Sequence, residues 1–414
     1  MKAIIISIGD ELILGQTIDT NAAWLSRELA ALGIAVMEQL TLPDNLEAIE
    51  KHLQRAGEHA EVILVTGGLG PTQDDLTRYA LARVLAVELQ LHEPSLGRIR
   101  QFFSRLNREM SSTNRIQAMI PAGCEVIEND LGTAPGMWAK IGTAAAFFLP
   151  GVPAEMKEMF AAFVKDRLKL LVGEHGGHEV IVTRTLHTVG IGESNLAEII
   201  GDLMERAQNP LVNTTASQGQ VSIHINACAI DESAARQIIE PVEQQLKQRL
   251  GRLVFGGDDE TLAQVVGGLL RQRSATLAVA ESCSGGLLAK VLTDISGSSD
   301  YFSYCWVTYS DQAKISLLQV DPDAIEQFGA VSAEVARQMA FHARRLARSD
   351  FSLAITGIAG PTGGSDEKPV GLVYICLADS ATTQVKRNLF PGDRHIVRRR
   401  AVIAALDMLR QRLL

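Results

Sequence analysis

Short apolar runs alternate with amphipathic segments over residues 1 to about 170, and this alternation limits the fold more than any other feature. The predicted order is strand 3–8, helix 21–32, strand 34–40, helix 45–57, strand 61–66, helix 74–87, strand 145–149 and helix 154–171. Strands that alternate with helices favour a parallel sheet covered by helices on both faces. A ligand is therefore expected at the carboxyl ends of these strands.

Two glycine-rich breaks, at 173–177 and 256–259, divide the chain of 414 residues. A chain of this length exceeds what one hydrophobic core usually supports, and polar glycine-rich stretches commonly separate domains. We predict a multi-domain α/β fold with a parallel-sheet domain over 1–172, a small α+β module over 178–255 and an α/β domain over 258–414. His175 and His178 in the first break have a spacing open to metal, but without further ligands we interpret them as loop residues.

The second and third domains have their own predicted element orders. In the middle module the order is strand 179–188, helix 193–206, strand 211–215, strand 220–230 and helix 232–249. In the last domain it is strand 275–280, helix 286–293, strand 304–309, helices 311–318 and 332–347, strands 351–356, 370–377 and 383–390, and helix 395–413. The last domain thus alternates strands and helices as the first one does.

Charge and cysteine usage exclude several classes of protein. The formal charge is −9, from 39 Lys plus Arg and 48 Asp plus Glu, which argues against a broad nucleic-acid surface. Five scattered cysteines without a Cys-x-x-Cys pair indicate reduced thiols. No signal peptide precedes the first strand, and no apolar run approaches the length of a membrane span. We expect a cytoplasmic protein that neither binds nucleic acid directly nor enters a membrane.

A turn rich in small residues follows the first strand of the last domain. Thr276-Leu-Ala-Val-Ala280 runs directly into Glu281-Ser282-Cys283-Ser284-Gly285-Gly286 and then into an apolar helical segment. A strand that ends at a helix start places side chains beside unpaired backbone N–H groups and the positive end of the helix dipole. Such a turn suits an oxyanion or a phosphate, although a tight turn capped by serine would have the same pattern.

Two further strand ends in this domain carry polar or glycine-rich sequences. Tyr309 ends one predicted strand and Lys314 lies on the first turn of the helix that follows. Thr356-Gly-Ile-Ala-Gly-Pro-Thr-Gly-Gly364 follows another strand, and its glycines allow a ligand to approach the backbone closely. Three strand ends can therefore meet at one edge of the sheet.

These residues together resemble a known family. The motifs are Ala280-Glu-Ser-Cys-Ser-Gly-Gly286, Val307-Thr-Tyr-Ser310 with Lys314, Gly329-Ala-Val-Ser332, Thr356-Gly-Ile-Ala-Gly-Pro361, Gly371, and Gly392-Asp-Arg394 with Arg398. They are similar to the C-terminal domain of the CinA family, which is known as a nicotinamide mononucleotide deamidase. The resemblance implies that this carboxamide is hydrolysed to nicotinate mononucleotide and ammonia, without a cofactor. One departure is Ser284, where the family usually has Thr.

The resemblance also implies roles for individual residues. Ser282 is the expected nucleophile and Lys314 its base, because a serine hydroxyl needs a base beside it and a lysine serves only if its pKa is lowered. Tyr309 and Thr356 are expected to position the substrate or relay protons, and Arg398 to bind a negative group. Cys283 is the rival nucleophile, interpreted rather as a small buried filler. The expected substrate contacts are Glu281, Cys283, Ser284, Gly285, Gly286, Gly357, Gly360, Gly363 and Gly364.

A second set of motifs lies at strand ends of the first domain. Ser7-Ile-Gly9-Asp10-Glu11 follows the first strand, and Thr66-Gly67-Gly68-Leu-Gly70-Pro-Thr72-Gln-Asp74-Asp75 follows the third. Glycine loops can wrap phosphates, and clustered carboxylates suit a hard divalent cation, although a turn with an Asp helix cap gives the same pattern. With Asn114, Gln117, Pro121 and Pro150-Gly-Val-Pro153, the loops resemble the molybdopterin-binding fold that forms the N-terminal half of full-length CinA proteins.

In those proteins this half is known to hydrolyse the pyrophosphate of ADP-ribose with a divalent metal. The resemblance implies Mg, Mn or Co here, and the expected ligands are Asp75, our first choice, with Asp10, Glu11 and Asp74. The expected substrate contacts are Gly9, Thr66, Gly67, Gly68, Asn114, Gln117, Pro150 and Gly151.

The middle module and the overall function leave alternatives open. Residues 188–194 and Asn213 resemble the family's middle segment, which we interpret as a linker and dimerisation scaffold that could also close the N-terminal site. The favoured function is a homodimeric pyridine-nucleotide salvage enzyme with two activities. One alternative is a molybdopterin cofactor biosynthesis or binding protein. Another is a non-enzymatic interaction protein of competence or damage response, which the acidic composition disfavours for direct DNA contact.

Overall fold

The structure is a computed structural model, and it describes residues 1–174, 180–205 and 208–414. The chain divides into two compact units, Met1–Val182 with Ala227–Gln237, and Thr183–Asn226 with Ile238–Leu414. Both are mixed α/β, as predicted, whereas the division into three domains stays a prediction. His175 and His178 lie outside the described residues.

The first unit begins with fifteen described α-helices and β-strands. They are β1 (Lys2–Ile8), α1 (Asp10–Ile13), α2 (Thr20–Ala31), β2 (Ala35–Leu42), α3 (Leu46–His59), β3 (Val62–Thr66), α4 (Thr77–Leu85), β4 (Leu89–Leu91), α5 (Glu93–Arg105), β5 (Met119–Pro121), β6 (Glu125–Ile127), β7 (Gly136–Ile141), β8 (Ala144–Leu149), α6 (Pro153–Met159) and α7 (Lys165–Glu174).

The main sheet of this unit contains the predicted parallel strands, with two further strands added at one edge. Its order is β2-β1-β3-β8-β7-β6. The first four strands are parallel to one another, β7 is antiparallel to β8, and β6 is antiparallel to β7. The cause is a tight turn at Gly142, whose φ of +60° allows β7 to fold straight back onto β8. Sequence analysis predicted neither β7 nor α5.

The helices of the first unit cover both faces of this sheet, as predicted. Side chains of α2, α6 and α7 pack on one face, and those of α3 and α4 pack on the other. The chain passes from β1 to β2 and then back across β1 to β3, so the direction of winding reverses beside β1. Open α/β sheets bind ligands at the carboxyl edge of such a reversal.

A smaller sheet lies in the middle of the chain. Its elements are β9 (Val180–Val189), α8 (Glu193–Ile200), β10 (Leu211–Ser217), β11 (Gln220–Ala229), α9 (Glu232–Leu250) and β12 (Val254–Gly257). The strand order is β10-β11-β9-β12. The helix predicted over 193–206 was too long, because a short 3₁₀ turn begins at Gly201.

The C-terminal part of the chain forms a five-stranded sheet with helices. Its elements are α10 (Leu262–Gln272), β13 (Leu277–Glu281), α11 (Leu287–Thr293), β14 (Phe302–Val307), α12 (Asp311–Leu318), α13 (Pro322–Phe328), α14 (Ala333–Ala347), β15 (Phe351–Gly357), β16 (Leu372–Ala378), β17 (Thr383–Leu389) and α15 (Arg394–Leu413). The strand order is β14-β13-β15-β16-β17.

In this sheet β13 lies between the two strands that are parallel to it. Ala280 of β13 is in register with Trp306 of β14 and Ala354 of β15, so the three carboxyl ends meet at one edge. Side chains of α10, α11 and α15 pack on one face, and α14 packs on the other. The winding reverses beside β13, which is where a ligand site is expected. Within the described residues, no helix is long and apolar enough to cross a membrane.

Candidate functional site

The turn after β13 is held by the carboxylate of Glu281. This side chain is fully buried and accepts hydrogen bonds from the backbone N–H groups of Gly286, Leu288 and Ala289, at 3.0, 3.1 and 2.8 Å. A carboxylate suits this position because the N-terminus of α11 carries a partial positive charge. Glu281 therefore fixes the turn from behind, and the residue placed to meet a ligand is Ser282.

Two glycines give the turn its shape. Gly285 and Gly286 have φ angles of +61° and +88°, which residues with a Cβ rarely adopt. Ser282 N donates to the carbonyl of Ile355 at 2.9 Å, so the turn is also tied to the end of β15.

Lys314 lies against Ser282. Its Nζ is 3.3 Å from Ser282 Oγ and donates to the carbonyl of Thr308 at 3.1 Å. The lysine is 1% exposed and the serine 8%. Burial lowers the pKa of Lys314, and the charge of Asp311, 3.9 Å away, opposes the shift. A buried amine that loses its proton more readily can act as a base towards the hydroxyl beside it.

Two arginines from the start of α15 reach the same edge. Arg398 donates through Nε and Nη2 to the carbonyl of Ser284, at 3.1 and 2.6 Å. Arg394 donates to the hydroxyl of Tyr309 at 2.6 Å and to the carbonyl of Gly360 at 2.9 Å. Arg394 thus joins the Tyr309 loop to the glycine-rich loop, a role that its place in the motif Gly392-Asp-Arg394 did not predict.

Tyr309 does not end a strand, because β14 stops at Val307. The phenol is largely exposed and sits in the loop before α12. Thr356 is buried and donates to the carbonyl of Ala330 at 2.8 Å, which ties the end of β15 to the segment before α14. Gly357 and Gly360 begin the glycine-rich loop, whereas Gly363 and Gly364 lie on its exposed part.

Cys283 packs into the hydrophobic core under α15. Burial raises the pKa of its thiol to about 11. A thiol in this state holds little of the thiolate that a nucleophile requires. The burial of Cys283 and the raised pKa of its thiol favour the interpretation as a small buried side chain over that as a nucleophile.

Two buried hydroxyls near the Ser–Lys pair have no partner within the described part of the chain. They are Ser284 Oγ and Thr308 Oγ1, and both side chains are fully buried. Unpaired buried hydroxyls are uncommon because they forfeit a hydrogen bond. Thr308 lies in a motif quoted from the sequence, but no role was predicted for it.

The N-terminal motifs also meet in one place, a cavity of about 510 Å³ at the carboxyl edge of the first sheet. Of the predicted residues, Gly9, Glu11, Gly67, Gly68, Asp74, Asp75, Gln117, Pro150 and Gly151 line it. Asp44, Thr133 and Glu155 also line it and were missed, because each lies outside the motifs. Cavities of roughly 300–1,000 Å³ are typical of small-molecule sites.

Asp75 shapes the glycine loop of this cavity. Its carboxylate accepts from the N–H of Gly70 at 2.6 Å and from the N–H and hydroxyl of Thr72 at 2.8 and 2.5 Å. The buried guanidinium of Arg78 donates to the carbonyls of Gly70, at 3.1 Å, and of Leu69. Burial lowers the pKa of Arg78, and the charge of Asp75 opposes this. The loop is thus braced by a carboxylate and a cation before any ligand binds.

Asp10 supports a second carboxylate rather than lining the cavity itself. Its N–H donates to Asp44 at 2.9 Å and its carboxylate accepts from the N–H of Asp44 at 3.2 Å. Burial raises the pKa of Asp44, and the negative charges of Asp10, Glu11 and Asp75 add to the effect. Among the described residues, however, no three His, Cys, Asp or Glu side chains are grouped closely enough to hold a metal ion.

Two other predicted contacts act from behind the cavity. Asn114 is buried and donates to Gln117 Oε1 at 2.9 Å, so it orients a side chain that does line the cavity. Thr66 is buried at the end of β3, with its hydroxyl 3.5 Å from that of Ser7.

The fold and the two sites define a multi-domain α/β protein with two candidate sites. One is a cavity lined by glycines and carboxylates on the first sheet, and the other is a buried Ser–Lys pair on the C-terminal sheet. Family models match along the chain: "Probable molybdopterin binding domain" over residues 4–170, "Damage-inducible protein CinA KH domain" over 183–256 and "CinA C-terminal domain" over 259–413. The chain belongs to the CinA family.

Relatives match over the full length. A CinA-like protein of Kosmotoga olearia is 40% identical, with 100% of this chain and 99% of that protein covered. A protein of Acetivibrio thermocellus, provisionally named competence-damage inducible protein, is 41% identical over 99% of this chain and 98% of its own length.

Two solved structures each cover less than half of this chain. The competence/damage inducible protein CihA of Agrobacterium tumefaciens is 39% identical, covering 36% of this chain and 92% of that chain with a TM-score of 0.36. The protein CinA of Thermoplasma acidophilum, described as of unknown function, is 33% identical, covering 40% and 96% with a TM-score of 0.38.

Proposed function

We propose that the C-terminal domain hydrolyses the carboxamide of nicotinamide mononucleotide, with Ser282 as nucleophile and Lys314 as base. The observation that carries the proposal is the 3.3 Å approach of a buried lysine amine to a serine hydroxyl. Buried lysines in proteins are usually paired with a carboxylate, but the carboxylate nearest to Lys314, that of Asp311, is exposed and 3.9 Å away. The amine is thus placed to accept a proton rather than to form an ion pair.

The proposed reaction has two halves. Neutral Lys314 accepts the proton of Ser282 Oγ as the oxygen attacks the carboxamide carbon, and those backbone N–H groups of the turn that are not already bonded within the protein stabilise the resulting oxyanion. Protonated Lys314 then gives its proton to the departing ammonia, which leaves an ester on Ser282. Water, deprotonated by the same lysine, then attacks the ester carbon. As the bond to Ser282 breaks, the lysine returns the proton to the serine oxygen and the carboxylate product is released.

The charges of the site support an anionic substrate. Arg394 and Arg398 lie at the edge where the strand ends meet, and each retains donors beyond its bonds to backbone carbonyls and Tyr309. We propose that this pair holds the phosphate of the mononucleotide, since arginine suits phosphate oxygens.

The substrate part of the proposal is tested by comparing nicotinamide mononucleotide with nicotinamide riboside, which lacks the phosphate, and identifying the products by chromatography. We expect nicotinate mononucleotide from the first and slow or no turnover of the second. Equal rates would remove the arginines from substrate recognition while leaving the Ser–Lys chemistry intact.

For the N-terminal domain we propose hydrolysis of the pyrophosphate of ADP-ribose with a divalent metal. Glycine loops after β1 and β3 border one cavity with the carboxylates Glu11, Asp44, Asp74 and Asp75. Among the described residues no three of these carboxylates are close enough to enclose a metal ion, but Mg²⁺ is commonly held by one or two carboxylates together with the phosphates of a substrate. A bound cation would neutralise charge that develops on the phosphates. The protein itself contributes the braced glycine loop and Gln117, which orient the phosphates.

Molybdopterin binding is the second candidate for this domain, favoured by the family model that matches residues 4–170. Incubation with ADP-ribose and magnesium distinguishes the two. We expect AMP and ribose 5-phosphate as products. If ADP-ribose is not hydrolysed and the protein binds a pterin phosphate tightly, the second candidate is favoured.

A further inference from the structure

A second cavity of about 500 Å³ adjoins the glycine-loop cavity in the first unit. One wall is α5, which contributes Arg98, Phe102 and Arg105, and the other is the segment 128–135. Thr133 lines both cavities, so one opens beside the other. None of the motifs in the sequence includes the residues of α5.

Hydrogen bonds of Asn129 connect the linings of the two cavities. Asn129, which lines the second cavity, accepts from the N–H of Gly132 at 2.9 Å and donates to Glu155 at 2.7 Å. Glu155 lines the first cavity. Gly132 lies so close to the carboxylate of Glu155 that a Cβ at this position would displace that side chain. The bond from Asn129 to Glu155 thus links the linings of the two cavities.

The second cavity offers different chemistry from the first. Phe102 is half-buried and presents an aromatic ring. Arg98 forms ion pairs with both carboxylates of the segment, Glu128 at 2.5 Å and Asp130 at 3.4 Å. Arg105 is exposed and forms no ion pair among the described residues. An aromatic ring can stack on a base, and carboxylates accept hydrogen bonds from ribose hydroxyls.

We propose that the second cavity is a nucleoside subsite, which makes the N-terminal domain selective for nucleoside diphosphate esters over free pyrophosphate. The base stacks on Phe102, the ribose hydroxyls donate to Glu128 or Asp130, and Arg105 attracts the adjacent phosphate. The diphosphate extends past Thr133 to the glycine loops. This assignment rests on the proposed pyrophosphatase function of the first cavity.

The test is calorimetric titration of the full chain with AMP and, separately, with inorganic pyrophosphate, both in magnesium buffer. The variants are Phe102→Ala and Arg105→Ala, and Arg100→Ala is the matched control because it is an exposed arginine on α5 that lines a different hollow. We expect Phe102→Ala to weaken AMP binding by about tenfold, as loss of one base stack does. Arg105→Ala should weaken it severalfold, while pyrophosphate binding and the control stay within twofold.

Unchanged AMP binding in both variants overturns the proposal, as does a wild type that does not bind AMP. Thermal unfolding of each variant shows whether a loss reflects misfolding, and Arg105→Ala decides the matter if Phe102→Ala fails to fold. Because binding does not require turnover, the two proposals fail separately. If the variants lose AMP binding selectively but the wild type does not hydrolyse ADP-ribose, only the pyrophosphatase function is refuted. If the wild type hydrolyses ADP-ribose but the variants bind AMP as tightly as it does, only the subsite is refuted.

Discussion

Replacing Glu281 by Gln should destabilise the C-terminal domain and slow its catalysis, although Glu281 itself is not placed to touch the substrate. The carboxylate is fully buried and receives three backbone N–H groups at the start of α11. Glutamine has nearly the same shape but only one acceptor oxygen and no charge. The substitution therefore isolates the charge and one hydrogen bond.

The magnitude follows from the individual bonds. One carboxylate oxygen accepts from Gly286 and Leu288, and the amide oxygen of Gln can retain both. The other accepts from Ala289, and there an NH₂ group would face the backbone N–H. An unsatisfied buried donor costs roughly 1–3 kcal/mol, and loss of the charge at the helix N-terminus costs roughly 0.3–2 kcal/mol. The free energy of unfolding should fall by roughly 2–4 kcal/mol.

Urea unfolding followed by tryptophan fluorescence measures this fall. The chain has three tryptophans, so changing Trp24 and Trp138 to Phe leaves Trp306, whose register partner Ala280 precedes Glu281. With a typical slope of about 2 kcal/mol per molar urea, the midpoint should drop by roughly 1–2 M.

The matched control is Glu334→Gln, which removes an exposed ion pair with Arg337 in the same domain and should shift the midpoint little. If the urea midpoint of Glu281→Gln differs from that of the wild type no more than the midpoint of Glu334→Gln does, the reasoning is refuted. Deamidation should slow in parallel, because the turn that carries Ser282 loses its anchor.

Three further predictions concern the two sites. Deamidation should fall as pH drops through the lowered pKa of Lys314, because only the neutral amine accepts a proton; a rate that stays flat to pH 5 contradicts the assignment. Lys314→Met should abolish deamidation yet raise the thermal midpoint at neutral pH, since it removes a buried amine. Because the pKa of Lys314 is lowered in the folded state, the free energy of unfolding of the wild type should rise relative to that of Lys314→Met as the pH increases from the folded pKa towards the unfolded value of about 10.4. Parallel curves of unfolding free energy against pH for the two proteins would contradict this. Asp75→Asn should slow ADP-ribose hydrolysis by at least about tenfold while deamidation is unchanged, because its carboxylate holds the glycine loop through Gly70 and Thr72; equal loss of both activities would contradict separate sites.

The sequence predicted the strand–turn–helix arrangement around Ser282 because its signals are local. A β-rich run, a turn of small residues and a helix start are adjacent in the chain, so the pattern determines the geometry. The position of Lys314 was also predictable, since the strand that precedes its helix lies beside β13 and the carboxyl ends of parallel strands meet.

Other parts of the sites were not predictable because they depend on distant contacts. Asp44 reaches the N-terminal cavity only through its reciprocal bonds with Asp10, 34 residues away. Arg394 lies 85 residues beyond Tyr309 and meets it only when α15 packs on the sheet. Strands β6 and β7 were missed for a different reason. Both are short, and β7 is followed at Gly142 by a turn into another buried strand, so the hydrophobic pattern alone does not identify it as a strand.

The most direct test of the central claim is ammonia release from nicotinamide mononucleotide by the wild type, Ser282→Ala and Cys283→Ala, with each protein's fold checked by thermal unfolding. The account predicts nicotinate mononucleotide from the wild type and from Cys283→Ala, and less than about one-thousandth of the wild-type rate from Ser282→Ala. Equal rates in the wild type and Ser282→Ala, or loss of activity only in Cys283→Ala, would contradict it.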